Sequence, residues 1–182
     1  TFLNEEIKDI ADISDTFALS FRISGVMHNG VIYTEETLPD YTGHQVTLGE
    51  ILETGRVDEK YFLTPQQIEK FNYLKGPKRI ERTSKEGFSY IFSEGGMTFP
   101  DDLSLPGRTM LTSEASVNRS THVVSDKVTG KLRFLTPIEA ERLNGFPDNW
   151  TNSGMPEKFR YFTMGNALVV NLIEKMGKTL DT

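Results

Sequence analysis

Two Thr-Pro pairs, each followed at a fixed spacing by glutamine or glutamate, constrain the fold of this chain most strongly. In the first, Thr64 and Pro65 precede a stretch whose apolar residues fall on one helical face, and Gly76 follows it. A threonine can cap a helix that begins with proline, and a glycine can end it. The pattern therefore predicts a helix over residues 65–75.

The same signal recurs near the carboxy terminus. Thr136, Pro137 and Glu139 precede apolar residues and a stop at Gly145, which predicts a short helix over 137–144. Thr47 and Glu50 have the same three-residue spacing and predict another short helix. An apolar stripe with a period of 3.6 residues predicts a terminal helix over 167–180, opening from a Gly-Asn turn at 165–166.

The remaining segments indicate short strands and loops. Alternating apolar residues at 17–21 predict a strand that Gly25 breaks, and Asn29-Gly30 predicts a hairpin into 31–34. Residues 76–118 are rich in glycine, proline and serine, with β-prone pieces at 88–92 and 109–112. We expect an irregular β region there.

Composition narrows the class of protein. A chain of 182 residues, 37% of them hydrophobic, is long enough for one ordinary domain or for one and a half small ones that share a core. The apolar runs are too short to span a bilayer, so we expect a cytoplasmic protein with no membrane partner. The chain has no cysteine and three scattered histidines, which predicts no disulfide and no metal site.

The net charge of -6 is unevenly distributed. Residues 1–60 contain twelve acidic and four basic side chains. Residues 68–85 contain six basic and two acidic side chains, and residues 107–133 contain five and two. Contact with a polyanion depends on such local patches more than on the total charge. A run of basic residues is also typical of an ordinary solvated face, and both interpretations stay open on charge alone.

Two ordered motifs are the most specific features. Residues 135–150 read LTPIEAERLNGFPDNW, and residues 164–180 read MGNALVVNLIEKMGKTL. They resemble the ninth and tenth conserved blocks of DNA cytosine-5 methyltransferases, in the right order and spacing. Residues 107–124 resemble the end of the target-recognition region in bacterial enzymes of this family that belong to restriction-modification systems. The family's cofactor fingerprint, Pro-Cys nucleophile loop and Glu-Asn-Val acid have no counterpart in this chain.

The resemblance implies a mixed α+β fold. We expect an irregular small β and loop recognition domain, followed by helices that dock on a Rossmann-like catalytic domain absent from this chain. The implied boundaries are an acidic leading segment with a hairpin at 1–39, a DNA-binding domain at 40–133, and carboxy-terminal helices at 134–182. Glu139 and Arg142 are implied to pair inside the protein.

The resemblance also implies site residues, although no catalytic one, because the family's nucleophile is a cysteine thiolate. Contacts with double-stranded DNA are expected from basic and hydroxyl side chains of the irregular region: Lys75, Lys78, Arg79, Arg82, Lys85, Arg108, Thr109, Thr112, Ser113, Asn118, Arg119 and Ser120. Proximity to S-adenosylmethionine is expected at Gly165, Asn166 and Ala167, where a plain helix cap is the other interpretation. That cofactor site would be complete only with the missing amino-terminal catalytic part.

Three hypotheses about the whole molecule stay open. The chain is an excised fragment of a longer enzyme, which its start at Thr1 favours, or the second subunit of a split methyltransferase. In either case we expect no methylation by the chain alone. The rival classes are a stand-alone DNA-binding module and a protein-interaction domain.

Overall fold

In the computed structural model, which describes residues 2–3, 24–29, 31–38 and 41–180, an antiparallel sheet forms in a first unit of residues 1–44. Its strands are β1 (Phe2–Leu3), β2 (Ser24–His28) and β3 (Val31–Glu35), in the order β1-β3-β2. The hairpin predicted at Asn29 is confirmed between β2 and β3. The predicted break at Gly25 is wrong, because Gly25 lies within β2 opposite Thr34. The strand predicted at 17–21 lies outside the described residues.

The second unit, residues 45–182, contains the predicted helices. Helix α1 (Leu48–Ile51) follows a capping box of Thr47 and Glu50, and a 3-10 turn spans Glu59–Tyr61. Helix α2 (Pro65–Lys75) has the predicted bounds. Its cap Thr64 accepts a hydrogen bond from the backbone of Gln67, as the sequence pattern indicated.

Two short antiparallel pairs follow α2. Strands β4 (Lys78–Thr83) and β5 (Ser89–Glu94) form a two-stranded ribbon, within the expected β region. Strands β6 (Val123–Ser125) and β7 (Leu132–Phe134) form a second pair that the sequence did not predict. The piece at 109–112 is not a strand.

Three helices complete the second unit. Helix α3 (Pro137–Leu143) is one residue shorter than predicted. Helix α4 (Glu157–Asn166) was not predicted, and α5 (Val170–Leu180) begins three residues later than expected. The turn predicted to open the terminal helix is therefore wrong, since Gly165 and Asn166 lie in the last turn of α4.

Three apolar clusters hold the second unit together. The first contains Leu52, Val124 and Leu135; the second contains Phe71, Val123 and Phe134; the third contains Met110, Ala140, Tyr161 and Met164. Residues predicted as a recognition domain and residues of the carboxy-terminal helices thus share these clusters. The predicted mixed fold of helices and small sheets is confirmed.

Among the described residues, no helix has both the length and the apolar character needed to cross a membrane. No group of three or more metal-ligating side chains among them could hold a metal ion.

Candidate nucleic-acid interface

The β4–β5 ribbon carries the basic run on a strand rather than on a loop. Lys78 Nζ donates to the Leu74 carbonyl at 2.7 Å and to Glu94 Oε2 at 3.0 Å. The guanidinium of Arg82 lies 3.9 Å from the centroid of the Phe92 ring, on the same face of the ribbon. Lys78 is thus held by internal bonds, whereas Arg82 is exposed and braced against an aromatic ring.

The opposite face of the ribbon presents Arg79, which pairs in register with Ser93. The side chain of Arg79 is exposed and makes no hydrogen bond or ion pair with any described residue. Ile91 lies two residues from Ser93 on the same face and is 55% exposed, and Phe88, at the turn end of the ribbon, is 71% exposed. Basic side chains interleaved with exposed apolar ones are typical of nucleic-acid contact surfaces.

Lys75 does not belong to this surface. Its side chain is buried, and Nζ donates to the Thr121 carbonyl at 2.8 Å and lies 3.7 Å from Asp101 Oδ2. Burial lowers the pKa of Lys75 below its ordinary value, against the opposing effect of Asp101. Lys75 therefore has a structural role inside the protein, and its buried ammonium group does not fit the phosphate contact predicted for it.

The loop at 108–122 is built on a buried polar frame. Arg108 donates from Nη2 and Nε to Asp101 Oδ1 at 2.8 and 3.0 Å, and its backbone N–H donates to His122 Nε2 at 3.0 Å. Glu114 accepts the backbone N–H of His122 at 2.8 Å and lies 3.1 Å from Nδ1. Because Nε2 accepts a bond, the proton of the neutral ring belongs on Nδ1.

A second anchor ties the same loop to α2 and to the end of β5. Arg119 Nη1 donates to the Leu74 carbonyl at 2.6 Å, and Nη2 donates to the Gly95 carbonyl. Asn118 Oδ1 accepts the backbone N–H of Ser120 at 2.9 Å. Much of the polar capacity of Arg108 and Arg119 is therefore used in fixing the loop.

The predicted DNA contacts consequently divide into two groups. Thr109 and Thr112 are exposed, and their side chains make no hydrogen bond within the described part of the chain. The group facing solvent comprises Arg79, Arg82, Lys85, Thr109, Thr112 and Ser113, and of these the Ser113 hydroxyl also accepts a hydrogen bond from Asn118 Nδ2 at 3.2 Å. The group engaged in internal bonds comprises Lys75, Lys78, Arg108, Asn118, Arg119 and Ser120.

The tripeptide at 165–167 does not form a ligand cradle by itself. Gly165 packs against the backbone of Leu111 and Thr112, so the space that glycine leaves is filled by this chain. Asn166 Nδ2 donates to the Phe162 carbonyl at 2.9 Å, so its amide braces α4 and does not cap α5. These residues alone do not fit S-adenosylmethionine, and other groups would have to complete such a site.

The ninth-block helix contributes scaffold contacts, as expected. Arg142 donates to both carboxylate oxygens of Asp148, at 2.7 and 2.6 Å, and to the Ile51 carbonyl at 3.0 Å. Glu139 pairs with Arg133, not with Arg142. The role of Arg133 was not predicted, because a single arginine in a strand has no distinguishing sequence pattern.

The C-5 cytosine-specific DNA methylase family matches residues 4–182 of this chain. The chain is 60% identical over 173 residues to the type II methyltransferase M.Sau3AI of Staphylococcus aureus, covering 95% of this chain and 41% of that protein. The solved Entamoeba histolytica methyltransferase EhMeth aligns with a TM-score of 0.50 at 18% identity, over 81% of this chain and 45% of that one. The chain thus spans less than half the length of both, and by its sequence match it belongs to the C-5 cytosine-specific DNA methylase family.

Proposed function

We propose that this chain is the target-recognition part and carboxy-terminal scaffold of a DNA cytosine-5 methyltransferase of a type II restriction-modification system. The complete enzyme would transfer a methyl group from S-adenosylmethionine to C5 of cytosine in duplex DNA. The observation that carries the proposal is the 60% identity to a type II methyltransferase over nearly the whole chain.

The chain's part in the reaction is binding and orientation. The family's nucleophile is a cysteine thiolate, and this chain contains no cysteine. The nucleophile and most of the cofactor site would therefore come from a catalytic part outside residues 1–182, either in the same polypeptide or in a separate subunit. This chain would hold the duplex so that the target cytosine, once flipped out of the stack, reaches that part.

The ribbon suits the first step, which is attachment to the duplex. The major groove of B-DNA admits a two-stranded β ribbon. Arg79 and Arg82 project from opposite faces of the β4–β5 ribbon, so that both can contact phosphates along the groove walls. The exposed hydroxyl groups of Thr109 and Thr112 suit hydrogen bonds to base edges or phosphates.

The terminal helix suits the attachment of the catalytic part. Helix α5 is exposed along its whole length, and its apolar stripe faces solvent: Leu172, Ile173, Met176 and Leu180. A stripe of this kind on a helix normally packs against another surface. A catalytic part is its proposed occupant, because the chain covers only 41% of the length of M.Sau3AI.

Complementation tests the proposal. The portion of M.Sau3AI that lies outside the region aligned with this chain would be co-expressed with residues 1–182, and methyl transfer to a library of duplexes would be measured. We expect transfer at a defined sequence with both parts and none with either alone. The matched control replaces the partner's nucleophilic cysteine with alanine.

The outcomes separate the competing hypotheses. Duplex binding by the chain without methylation in the pair would favour a stand-alone DNA-binding module. The absence of both binding and methylation would overturn the DNA proposal and leave a protein-interaction domain.

A further inference from the structure

Gly165 packs backbone to backbone against a loop that is distant in sequence. A Cβ atom built on Gly165 would lie 2.5 Å from the carbonyl carbon of Leu111 and from Cα of Thr112, and closer still to the Thr112 nitrogen. A Cβ atom cannot lie so close to backbone atoms, and no change of rotamer can relieve the clash, because the position of Cβ is set by the backbone. Any residue other than glycine at this position must displace the loop or the end of α4.

The loop that packs on Gly165 is also held by hydrogen bonds at several other points. Glu114 and His122 close its base through two bonds, and Arg108 ties it to Asp101. Ala115 adopts a φ of 60°, a conformation that side chains rarely take, while it packs against the apolar core. The contact with Gly165 lies between these points. It determines the position of the segment in which Thr112 and Ser113 are exposed.

The other side of the contact leads directly to α5. Gly165 lies in the last turn of α4, and only residues 167–169 separate that helix from α5. The Val170 N–H donates to the Asn144 carbonyl at 2.9 Å, which fixes the start of α5 to the end of α3. Gly165 therefore contacts the loop at 108–122, which is the proposed recognition loop, and lies five residues before the start of α5, the proposed docking helix.

We propose that Gly165 is a positioning residue for DNA recognition, which seats the Leu111–Thr112 backbone and thereby sets the recognition loop relative to the catalytic part. The inference rests on the proposed function. It differs from the expectation that the glycine admits the cofactor, because the approach that glycine allows is already occupied by this chain. A misplacement of about 1 Å far from the chemistry can cost about a hundredfold in rate.

The test compares Gly165→Ala with Gly55→Ala. Gly55 is exposed and lies outside the ribbon, the loop and α5, and a Cβ atom there would meet nothing within 4 Å, so it controls for the change of residue type. Duplexes selected from a randomised library with the wild-type chain would serve as the DNA probe. Measurements would be the Kd for that duplex with the chain alone, and kcat and both KM values in the complemented enzyme.

We expect Gly165→Ala to raise the Kd and KM for the selected duplex about tenfold or more, with the KM for S-adenosylmethionine within about twofold of wild type. Gly55→Ala should match wild type. A rise in the KM for S-adenosylmethionine with unchanged duplex binding would overturn the inference in favour of cofactor contact. Unchanged values throughout would overturn it as well.

A second variant covers the case in which Gly165→Ala does not fold. Ala115→Val disturbs the same loop from its other end, because a β-branched residue is strained at a φ of 60°. It should give the same split between duplex and cofactor constants, and normal duplex binding by a folded Ala115→Val chain would contradict the inference. Failure of the wild-type chain to bind any duplex would instead count against the proposed function.

Discussion

Arg133 and Glu139 form a two-point ion pair in the interior, with Nη1 to Oε2 and Nη2 to Oε1 distances of 2.7 Å each. Neither side chain is exposed. Asp126 Oδ2 accepts from Arg133 Nε at 3.2 Å, and the Phe134 carbonyl accepts from Nη1 at 3.0 Å. The guanidinium thus joins the β6–β7 pair to the first turn of α3. Fixed partners surround the charge, which is the condition under which a buried arginine is tolerated.

Removing one partner of this pair should destabilise the chain strongly. Glu139→Ala leaves a buried guanidinium short of charge compensation and should lower the free energy of unfolding by about 3–5 kcal/mol. Urea denaturation monitored by circular dichroism measures the free energy of unfolding. As a control, Glu174→Gln breaks the exposed Lys178–Glu174 pair and should leave the unfolding midpoint unchanged. Equal effects of the two substitutions would contradict the structural role of the buried pair.

The two Thr-Pro caps should differ in strength. Thr136 Oγ1 accepts from the Glu139 backbone at 3.2 Å and also donates to Glu53 Oε1 at 2.6 Å, whereas Thr64 Oγ1 accepts from Gln67 at 3.3 Å and makes no second bond with a described residue. Thr64→Ala should cost about 1 kcal/mol, the usual value for a cap. Thr136→Ala should cost about 2–3 kcal/mol, because it also removes a bond to a carboxylate. Thermal denaturation of both variants would reveal the difference, and serine at either position should restore most of it.

Stability should fall in acid through Glu141. Burial disfavours its charged form, but hydrogen bonds from Thr151 and Arg160 outweigh that effect and hold the pKa of the carboxyl below its ordinary value of 4.5. A lowered folded-state pKa gives stability that is fully present above pH 4.5 and is lost as the pH falls through the lower folded-state value. Glu141→Gln lacks this contribution.

The free-energy difference between wild type and Glu141→Gln should therefore be largest at neutral pH and shrink below pH 4.5. Denaturant unfolding at a series of pH values measures it. A difference that stays constant with pH would show that Glu141 is not the titrating group.

The sequence predicted those parts of the fold whose cause is local. Both ends of helix α2 were predicted correctly. Its start is marked by a threonine cap followed by proline, and its end is marked by a glycine. Helix α4 was missed because its cap is Pro156, which makes no side-chain bond, and because Phe159 and Phe162 remain exposed. Its amphipathic pattern is therefore weak.

The candidate site was harder to predict, because it depends on partners distant in the chain. Lys75 looks like any other member of a basic run, yet its acceptor on Thr121 lies 46 residues away. The packing of Gly165 on Leu111 could not be predicted from the sequence either, since a glycine ahead of a predicted helix also fits a plain helix cap. Local patterns identified the region, and tertiary contacts decided which of its side chains face solvent.

Reversing the charge of Arg79 should weaken duplex binding without affecting stability. The Arg79 side chain is exposed and has no bonding partner among the described residues, so Arg79→Glu removes no side-chain bond. Loss of one phosphate contact should reduce the slope of log affinity against log salt by about one. Fluorescence anisotropy at several salt concentrations measures it. Arg56→Glu, an equal charge change at an exposed position outside the ribbon, should leave the slope as in wild type.

The apolar stripe of α5 gives the last prediction. Leu172 is 56% exposed, and substitutions at such positions usually change stability by less than about 0.5 kcal/mol. Leu172→Glu should therefore leave the melting temperature of the chain nearly unchanged. If the stripe docks on the catalytic part, the same change buries a charge in an apolar contact and should cost about 2 kcal/mol or more of association free energy.

Titration calorimetry between the chain and the catalytic part measures that loss. Asn171→Glu introduces the same charge on the same helix at a polar position. It therefore separates the effect of the charge itself from the effect of its position in the apolar stripe. Asn171→Glu should associate like wild type, whereas Leu172→Glu should associate more weakly by the free energy given above. If both variants associate normally, α5 is not the docking surface, and the exposed aromatic residues around Trp150 and Phe162 become the next surface to substitute. The stripe on α5 is the stronger candidate of the two because its apolar residues repeat at helical spacing along one exposed face.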